Sequence, residues 1–166
     1  MAVVFKDRRW TYDELNRKAN QLARHLTRLG VRTETLVGLC VERSPEMILG
    51  VLGILKAGGA YIPLDPRYPQ DRIAFMIRDA KAPVIVTTSG LRQILPDTSS
   101  EIVCLDTEWG RIATESDRNP SCDVLSTNLA QQLGLEAGPP IRVIGIVQDA
   151  QVPSAKVGNL DLGPIA

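Results

Sequence analysis

The sequence has no excess of charge of either sign. Lysine and arginine together number 19, aspartate and glutamate also number 19, and the formal net charge at neutral pH is zero. Nucleic acids and anionic membranes attract proteins through a net positive field, which this chain lacks. We therefore expect it to bind neither.

Cysteine is scarce, and its spacing does not fit the common metal motifs. The three cysteines, Cys40, Cys104 and Cys122, are far apart, with no CxxC or Cys/His spacing. Cys40 and Cys104 lie in apolar runs, where a thiol is usually a small core residue of a protein in a reducing cytosol. We expect no metal site.

Long hydrophobic runs are also missing. The longest unbroken apolar stretch, Met47–Leu55, is far shorter than the ~20 residues that span a bilayer. No charged leader with a cleavage site opens the sequence. These absences predict a soluble, cytoplasmic protein with no membrane partner.

The first third of the sequence predicts a hairpin followed by an amphipathic helix. Val3–Phe5 and Trp10–Thr11 flank a polar turn, as short antiparallel strands do. Thr11 and Glu14 have the spacing of a capping box, which starts a helix, and Gly30 favours its left-handed end. The apolar positions recur every three or four residues: Leu15, Ala19, Leu22, Leu26 and Leu29. The face predicted to be exposed carries Arg17, Lys18, Arg24 and Arg28.

Strands and helices then alternate. The predicted strands are Thr35–Val41, Ala60–Pro63, Val84–Thr87 and Ile102–Leu105. The predicted helices begin at Pro45, capped by Ser44 and apolar almost all round, and then cover Gln70–Ala80 and Leu91–Leu95. This order predicts an α/β fold with an open, largely parallel, doubly wound sheet, flanking helices and a short N-terminal hairpin. At 166 residues, one domain is expected.

The last third has no clear periodicity. Thr107–Asn128 is polar and is interpreted as a loop. From Gln131 onward there is no aromatic residue, several prolines punctuate the chain, and only Ile141–Val147 has the pattern of a strand. We expect an irregular C-terminal tail.

Two motifs carry a family resemblance. The stretch Trp10–Leu15, WTYDEL, and the run Leu55–Pro66, LKAGGAYIPLDP, resemble the first and second core motifs of the amino-acid adenylation domains of nonribosomal peptide synthetases. The likeness continues through Val37–Pro45 and Asp71–Ile73, and it covers roughly Val3–Ala130. A colinear match of this length is far more specific than one short motif.

The resemblance implies an activity that needs residues absent from this sequence. Members of that family use ATP and Mg²⁺ to convert an amino acid to its aminoacyl-adenylate, releasing pyrophosphate, and pass it to the phosphopantetheine thiol of a carrier domain. Asn128–Ala130 matches the opening of the third core motif, but a glycine- and hydroxyl-rich loop ending in lysine should follow, and Gln131–Gly134 stands there instead. Such a loop holds phosphates through free backbone amides. We therefore expect residues 1–130 to be a partial N-terminal subdomain, and 131–166 to be a divergent tail that is unstructured or frame-shifted.

Several other residues are candidates for a catalytic or ligand-binding site. The glycines of Gly50–Lys56 precede a lysine but fall within an apolar helix, and Lys156 near Gly158 lacks a strand-turn-helix context. His25, the only histidine, is predicted to be exposed to solvent rather than to act as a base. The remaining candidates have structural interpretations: Tyr61 and Asp65 in packing and a turn, Lys56 at a helix end, Asp13 and Glu14 in a helix cap. We predict no catalytic, cofactor-binding or metal residue and no cofactor retained.

Three functions remain open at this point. The leading interpretation is a fragment of an adenylation domain that is inactive alone, whose partners are other synthetase domains or a carrier protein. The alternative is a non-catalytic module that docks on a partner through exposed apolar surface. A small nucleotide-binding flavodoxin-like protein is a third, weakened because Glu42–Pro45 stands where a glycine-rich turn should follow the first parallel strand. Whether the chain is an enzyme is left open.

Overall fold

The computed structural model describes residues 1–120. It begins with a hairpin of β1 (Val3–Phe5) and β2 (Arg8–Trp10), which pair in antiparallel fashion with Val3 opposite Trp10. An ion pair of 2.6 Å between Arg8 Nη2 and Glu46 Oε1 ties this hairpin to a later helix. The predicted hairpin is confirmed.

Helix α1 (Tyr12–Arg28) begins at the predicted capping box. The backbone N–H of Glu14 donates to Thr11 Oγ1 at 3.2 Å, and Glu14 Oε2 accepts from the Thr11 backbone N–H at 2.7 Å. The helix ends just before Gly30, whose φ of 91° lies in the left-handed region that favours glycine. Both ends of α1 therefore follow from local sequence.

A four-stranded parallel sheet forms the centre of the fold. Its strands are β3 (Leu36–Cys40), β4 (Ala60–Pro63), β5 (Val84–Thr87) and β6 (Glu101–Cys104), in the spatial order β4-β3-β5-β6. The connections contain α2 (Pro45–Lys56), α3 (Gln70–Ala80) and a 3-10 helix (Ser89–Ile94), and a last short helix is α4 (Trp109–Ile112). Because the chain runs from β3 outward to β4 and then back past β3 to β5, the order reverses between β3 and β5.

The sheet has a separate hydrophobic core on each face. One core joins α1, α2 and α4 to the sheet, and it contains the buried side chains of Leu22, Leu26, Ile54, Val86 and Ile112. The other lies under α3 and the 3-10 helix, and it contains Ile73, Ile77, Ile85 and Leu95. Helices on both faces of a parallel sheet confirm the predicted doubly wound α/β class.

Helix α2 is less buried than its apolar sequence predicts. Its inner face is buried, but Ile48 is 38% exposed and Leu55 is 44% exposed. The expectation that α2 is covered on most sides fails along the line of these two residues, while the other residues of the helix are buried or half-buried. Ser44 stands at the N-cap but makes no capping hydrogen bond with its side chain, so the start signals are Pro45 and the acidic Glu46 in the first turn.

Of the predicted loop Thr107–Asn128 the structure describes residues 107–120, and this part contains a short helix. Helix α4 interrupts it, and Ile112 is completely buried in the core that includes α1. Four helical residues are too few for a helical period to show in the sequence, so the pattern gives no sign of this helix. The predicted tail from residue 131, the strand Ile141–Val147, and Cys122 and Lys156 lie outside the described residues.

Candidate functional site

Residues 107–120, which we call the strap, lie along the polar side of α1. Gln21 Nε2 donates to the backbone carbonyl of Ala113 at 2.9 Å, and Asn20 Nδ2 donates to that of Asp117 at 2.6 Å. Arg24 Nη2 reaches the carbonyl of Arg118 at 3.3 Å. Side chains spaced along one helix face therefore satisfy backbone carbonyls more than 90 residues away in sequence.

Asn119 Oδ1 is the point where several donors converge. It accepts from Asn20 Nδ2 at 2.9 Å and from Asn16 Nδ2 at 3.2 Å, and the amine of Lys56 lies 3.5 Å away. Lys56 Nζ also donates to Asn16 Oδ1 at 2.8 Å, and burial lowers the pKa of Lys56. Lys56 therefore joins the end of α2 to α1 and the strap, in addition to its predicted position at a helix end.

His25 is buried, and the prediction of solvent exposure is wrong. Only 5% of the residue is exposed, because the strap, which includes α4, covers the side of α1 that carries it. Its Nε2 lies 3.2 Å from Arg111 Nη2, and since a guanidinium only donates, Nε2 must be the unprotonated ring nitrogen. Burial, followed by the charge of Arg111, lowers the pKa of His25.

The strap also changes the surface of α1 that was predicted to be exposed. Arg17 and Arg28 are exposed as expected, whereas Lys18 and Arg24 are half-buried. The amine of Lys18 lies 4.5 Å from the centre of the Trp109 ring, a cation–π distance. The charged face of α1 is thus an internal contact surface over much of its length.

The glycine–lysine run of α2 is packed against its neighbours. A Cβ built on Gly53 would lie 2.5 Å from Leu22 Cδ2, and one on Gly50 would lie 2.6 Å from Leu39 Cδ1. The glycines therefore allow close approach of α2 to α1 and to β3. This run does not fit the phosphates of ATP, because the space beside its glycines is filled.

Asp65 and Tyr61 lie near the end of β4, where the sequence predicts them. Asp65 accepts from the backbone N–H of Arg67 at 2.9 Å and from its Nη2 at 2.6 Å. The side-chain hydrogen bond from Arg67 lowers the pKa of Asp65 to about 2. Tyr61 is exposed on an outer strand. This geometry is that of a charged turn.

The carboxylates at the start of α1 have local partners. Asp13 Oδ2 pairs with Arg17 Nε at 2.9 Å, one helical turn along. The hydrogen bonds from Thr11 lower the pKa of Glu14. Both carboxylates therefore serve the start of the helix, as predicted.

Cys40 and Cys104 are buried and free, in agreement with their interpretation as core residues. Burial raises the pKa of Cys40, and its carbonyl accepts from Thr87 Oγ1 at 2.7 Å. Among residues 1–120, no three histidine, cysteine or acidic side chains gather as metal ligands would. In the same part of the chain, no helix combines the length and apolar character needed to cross a membrane.

Two hollows open on the surface of the described chain. One of about 570 Å³ lies beside the carboxyl end of β5 and is lined by Gln70, Ser89, Arg92, Gln93, Leu95 and Asp97. The other, about 420 Å³, lies between the ends of α1 and α2, where Arg24, Arg28, Arg32 and Lys56 form part of its wall. Arg28 is already paired with Glu115, and Lys56 with Asn16.

Comparison with known proteins establishes the family. The family described as AMP-binding enzyme matches residues 1–147, which is most of the chain. The chain belongs to the AMP-binding enzyme family. This AMP-binding chain is 46% identical to tyrocidine synthase 1 of Brevibacillus parabrevis over 110 residues, which are 65% of the chain and 10% of that protein. It is 54% identical to gramicidin S synthase 2 of Brevibacillus brevis over 97 residues, 58% of the chain and 2% of that protein.

Solved structures give the same result. The crystal structure of the nonribosomal peptide synthetase FmoA3 in its AMPPNP-bound form matches with a TM-score of 0.68 and 37% identity, covering 73% of this AMP-binding chain and 13% of that one. The N-terminal subdomain of Klebsiella oxytoca NpsA shares the fold, with 22% identity and a TM-score of 0.61. The match covers 74% of this chain and 31% of that one. The resemblance to adenylation domains is confirmed, and the chain spans less than a third of each of these relatives.

Sequence reasoning missed the contacts between α1 and the strap. The uncharged polar residues on the charged half of α1 were the available signal: Asn16, Asn20, Gln21 and His25 lie there among Arg17, Arg24 and Arg28. Amide side chains on a helix face are often hydrogen-bonded to other polar groups of the protein.

Proposed function

We propose that this chain is the N-terminal part of an amino-acid-activating adenylation domain and that it performs no adenylation on its own. In the complete reaction, ATP and an amino acid give an aminoacyl-adenylate and pyrophosphate, and a carrier protein then receives the acyl group as a thioester. Under this proposal residues 1–130 are the partial subdomain and 131–166 a divergent tail. The chain would lie in the cytoplasm, with other synthetase domains or a carrier protein as partners.

The packing of α2 carries this proposal. Gly50–Lys56 is the stretch of the described chain in which glycines precede a lysine, and the space beside its glycines is filled by Leu39 and Leu22. Its backbone N–H groups lie within a helix and are used by that helix. Losing one donor that stabilises charge in an active site typically lowers the rate about 10²–10³-fold, and a triphosphate needs several such donors.

Pyrophosphate exchange tests the proposal. The purified 166-residue chain is incubated with ATP, labelled pyrophosphate and each common amino acid, with a complete adenylation domain as the positive control. We expect no label in ATP above the background without amino acid. Amino-acid-dependent exchange, or ATP bound in a defined site of this chain, would contradict the proposal.

Reading the gene beyond the Ala130 codon in the other two frames tests the frame-shifted origin of the tail. That origin requires the missing glycine-rich loop to be encoded there.

One observation favours a second candidate, a docking module without catalysis. Ile48 and Leu55 are seven residues apart on α2, so they lie on one side of the helix, and both are substantially exposed. Another part of a synthetase is the partner that this apolar side would contact.

Hydrophobic dye binding tests this second candidate. The double variant Ile48→Gln/Leu55→Gln should bind less dye than the unmodified chain, because it removes the apolar stripe. Phe75→Gln is the matched control, because Phe75 is 60% exposed on α3, over the opposite face of the sheet. A monomeric chain that binds no dye, or an equal loss in both variants, would count against docking through α2.

A further inference from the structure

The strap is held on α1 by two kinds of contact. In the first kind, amide and guanidinium side chains of α1 donate to neutral carbonyls at Ala113, Asp117 and Arg118. The second kind, around α4 and Glu115, consists of titratable and charged groups. Only the second kind changes with pH between about 5 and 8.

His25 lies at the centre of that charged contact. Three charged residues of the strap face it: Glu108, Arg111 and Glu115. A fourth, Arg28, faces it from α1. The four groups are two cations and two carboxylates, so their charges balance formally. The direct contact is the one with Arg111, at 3.2 Å.

Both carboxylates already have partners while the strap is closed. Glu115 Oε1 pairs with Arg28 Nη1 at 2.8 Å, and Glu115 is buried. Glu108 Oε1 accepts from the backbone N–H of Cys104 at 2.9 Å, and its Oε2 lies 3.2 Å from Arg111 Nη2. Neither of them is hydrogen-bonded to the ring of His25, whose direct contact is with Arg111.

Protonation of His25 reverses its contact with Arg111. In the neutral ring, Nε2 accepts a hydrogen bond from the guanidinium, but in the imidazolium both ring nitrogens carry protons. Two cations that only donate would then face each other, with the imidazolium buried and the guanidinium exposed. Moving α4 away from α1 relieves this repulsion and gives the imidazolium access to water.

We propose that proton uptake by His25 releases the strap from α1 as a unit while the parallel sheet stays folded. The apolar anchoring of the strap is limited to Trp109 and Ile112 on the core, and the rest of its described contacts with α1 are polar. The strands β3 and β5, by contrast, have completely buried apolar side chains such as Val37, Val84 and Val86. Regions with few buried apolar contacts are the ones that open locally.

The direction of the pH dependence follows from the lowered pKa of His25. The open form takes up its proton near the ordinary value of about 6.5, and the closed form only at lower pH. The closed strap is therefore fully favoured above about pH 6.5. As pH falls from there toward the pKa of the closed form, the opening constant rises by up to about tenfold per pH unit.

Amide hydrogen exchange on the full 166-residue chain tests this proposal. Exchange is followed between about pH 7.5 and 5.0 in peptides from the strap and from β5, after correction for the pH dependence of intrinsic exchange. We expect protection of the strap to fall by up to about tenfold per pH unit below about pH 6.5, while protection of β5 stays constant. Constant protection of the strap, or parallel loss in β5, would overturn the proposal.

Two variants separate His25 from its neighbours. His25→Gln keeps a neutral acceptor for Arg111 but cannot titrate, so protection of its strap should not change across this range. Glu115→Gln removes a carboxylate that favours the imidazolium in the closed form, so the opening constant should start to rise at the same pH and go on rising to a lower pH than in the unmodified chain. An unchanged pH dependence in His25→Gln, or its loss in Glu115→Gln, would assign the transition to another group and reject the proposal.

A second measurement does not depend on whether His25→Gln folds. Because His25 is the only histidine, its ring Cε1–H resonance is assigned without ambiguity by NMR. We expect its titration midpoint below about 6.5, at the pH where the opening constant of the strap stops rising. A midpoint at or above the ordinary value, or one separated from strap opening, would refute the proposed coupling.

Discussion

The contact between α1 and α2 can be tested by adding a single methyl group. In Gly53→Ala, the new Cβ would lie 2.5 Å from Cδ2 of Leu22, 2.7 Å from its Cγ and 3.0 Å from its Cβ. Leu22 is completely buried, and the α1 backbone fixes its Cβ, so a change of rotamer cannot remove the clash. The two helices have to move apart.

The magnitude is a difference between two opposing effects. Alanine is favoured over glycine within a helix by about 1 kcal/mol. Overpacking a well-packed core destabilises by about 1–3 kcal/mol, and the fixed Cβ of Leu22 puts this site at the upper end of that range. We therefore expect Gly53→Ala to lower the free energy of unfolding by about 1–2 kcal/mol.

Gly50→Ala is the matched control three residues earlier on the same helix. Its Cβ would lie 2.6 Å from Leu39 Cδ1, but the other nearest atoms of Leu39 are 3.8 Å away. Because only the end of that side chain is in the way, Leu39 can rotate. We expect its free energy of unfolding to stay within about 0.5 kcal/mol of that of the unmodified chain.

Urea unfolding, followed by circular dichroism, measures both variants. For a slope of about 2 kcal/mol per molar urea, the midpoint of Gly53→Ala should fall by about 0.5–1 M. In the double variant Leu22→Ala/Gly53→Ala the clashes with Cδ2 and Cγ are absent and only the 3.0 Å contact with Cβ remains, so the two changes should be less destabilising together than the sum of their separate effects. Equal stability of Gly53→Ala and the unmodified chain, or a larger loss in Gly50→Ala, would refute this reasoning.

Three further changes test other contacts by the same urea assay. Thr11→Ala removes the capping hydroxyl of α1 and should lower the free energy of unfolding by about 1 kcal/mol. An unchanged free energy of unfolding would mean that the capping box does not stabilise the protein. Ile112→Ala creates a cavity where α4 meets the core and should destabilise by about 2–4 kcal/mol, and a loss below about 0.5 kcal/mol would restore the interpretation of this segment as a loop. Thr87→Val removes the donor to the Cys40 carbonyl in a buried site and should destabilise by about 1 kcal/mol, and a more stable variant would contradict the importance of that bond.

The sequence was sufficient for the elements that have a strong local pattern. The bounds of β4, α3 and β5 agree with prediction, because each is a short apolar run or a helical period between glycine, proline or polar turns. The start of α1 was also predictable, since Thr11 and Glu14 are three residues apart and act on each other directly. In these places the cause lies within a few residues of its effect.

The polar contacts of the candidate site could not be predicted in this way. His25 is buried by residues 86 positions later, and the hydrogen bond of Asn20 reaches 97 positions. The sequence cannot show which backbone carbonyl a distant side chain will bind, because every residue carries the same carbonyl group. The absence of capping at Ser44 is a milder case, in which a favourable residue type was present but its side chain makes no capping hydrogen bond.

The long reach of these hydrogen bonds has a consequence for synthesis on the ribosome. The carbonyl that accepts from Asn20 belongs to a residue made 97 positions later, and chains grow at about 5–20 residues per second. One side of the first helix is therefore without its covering segment for about 5–20 s after it is made. That interval is long enough for a molecular chaperone to bind the nascent helix.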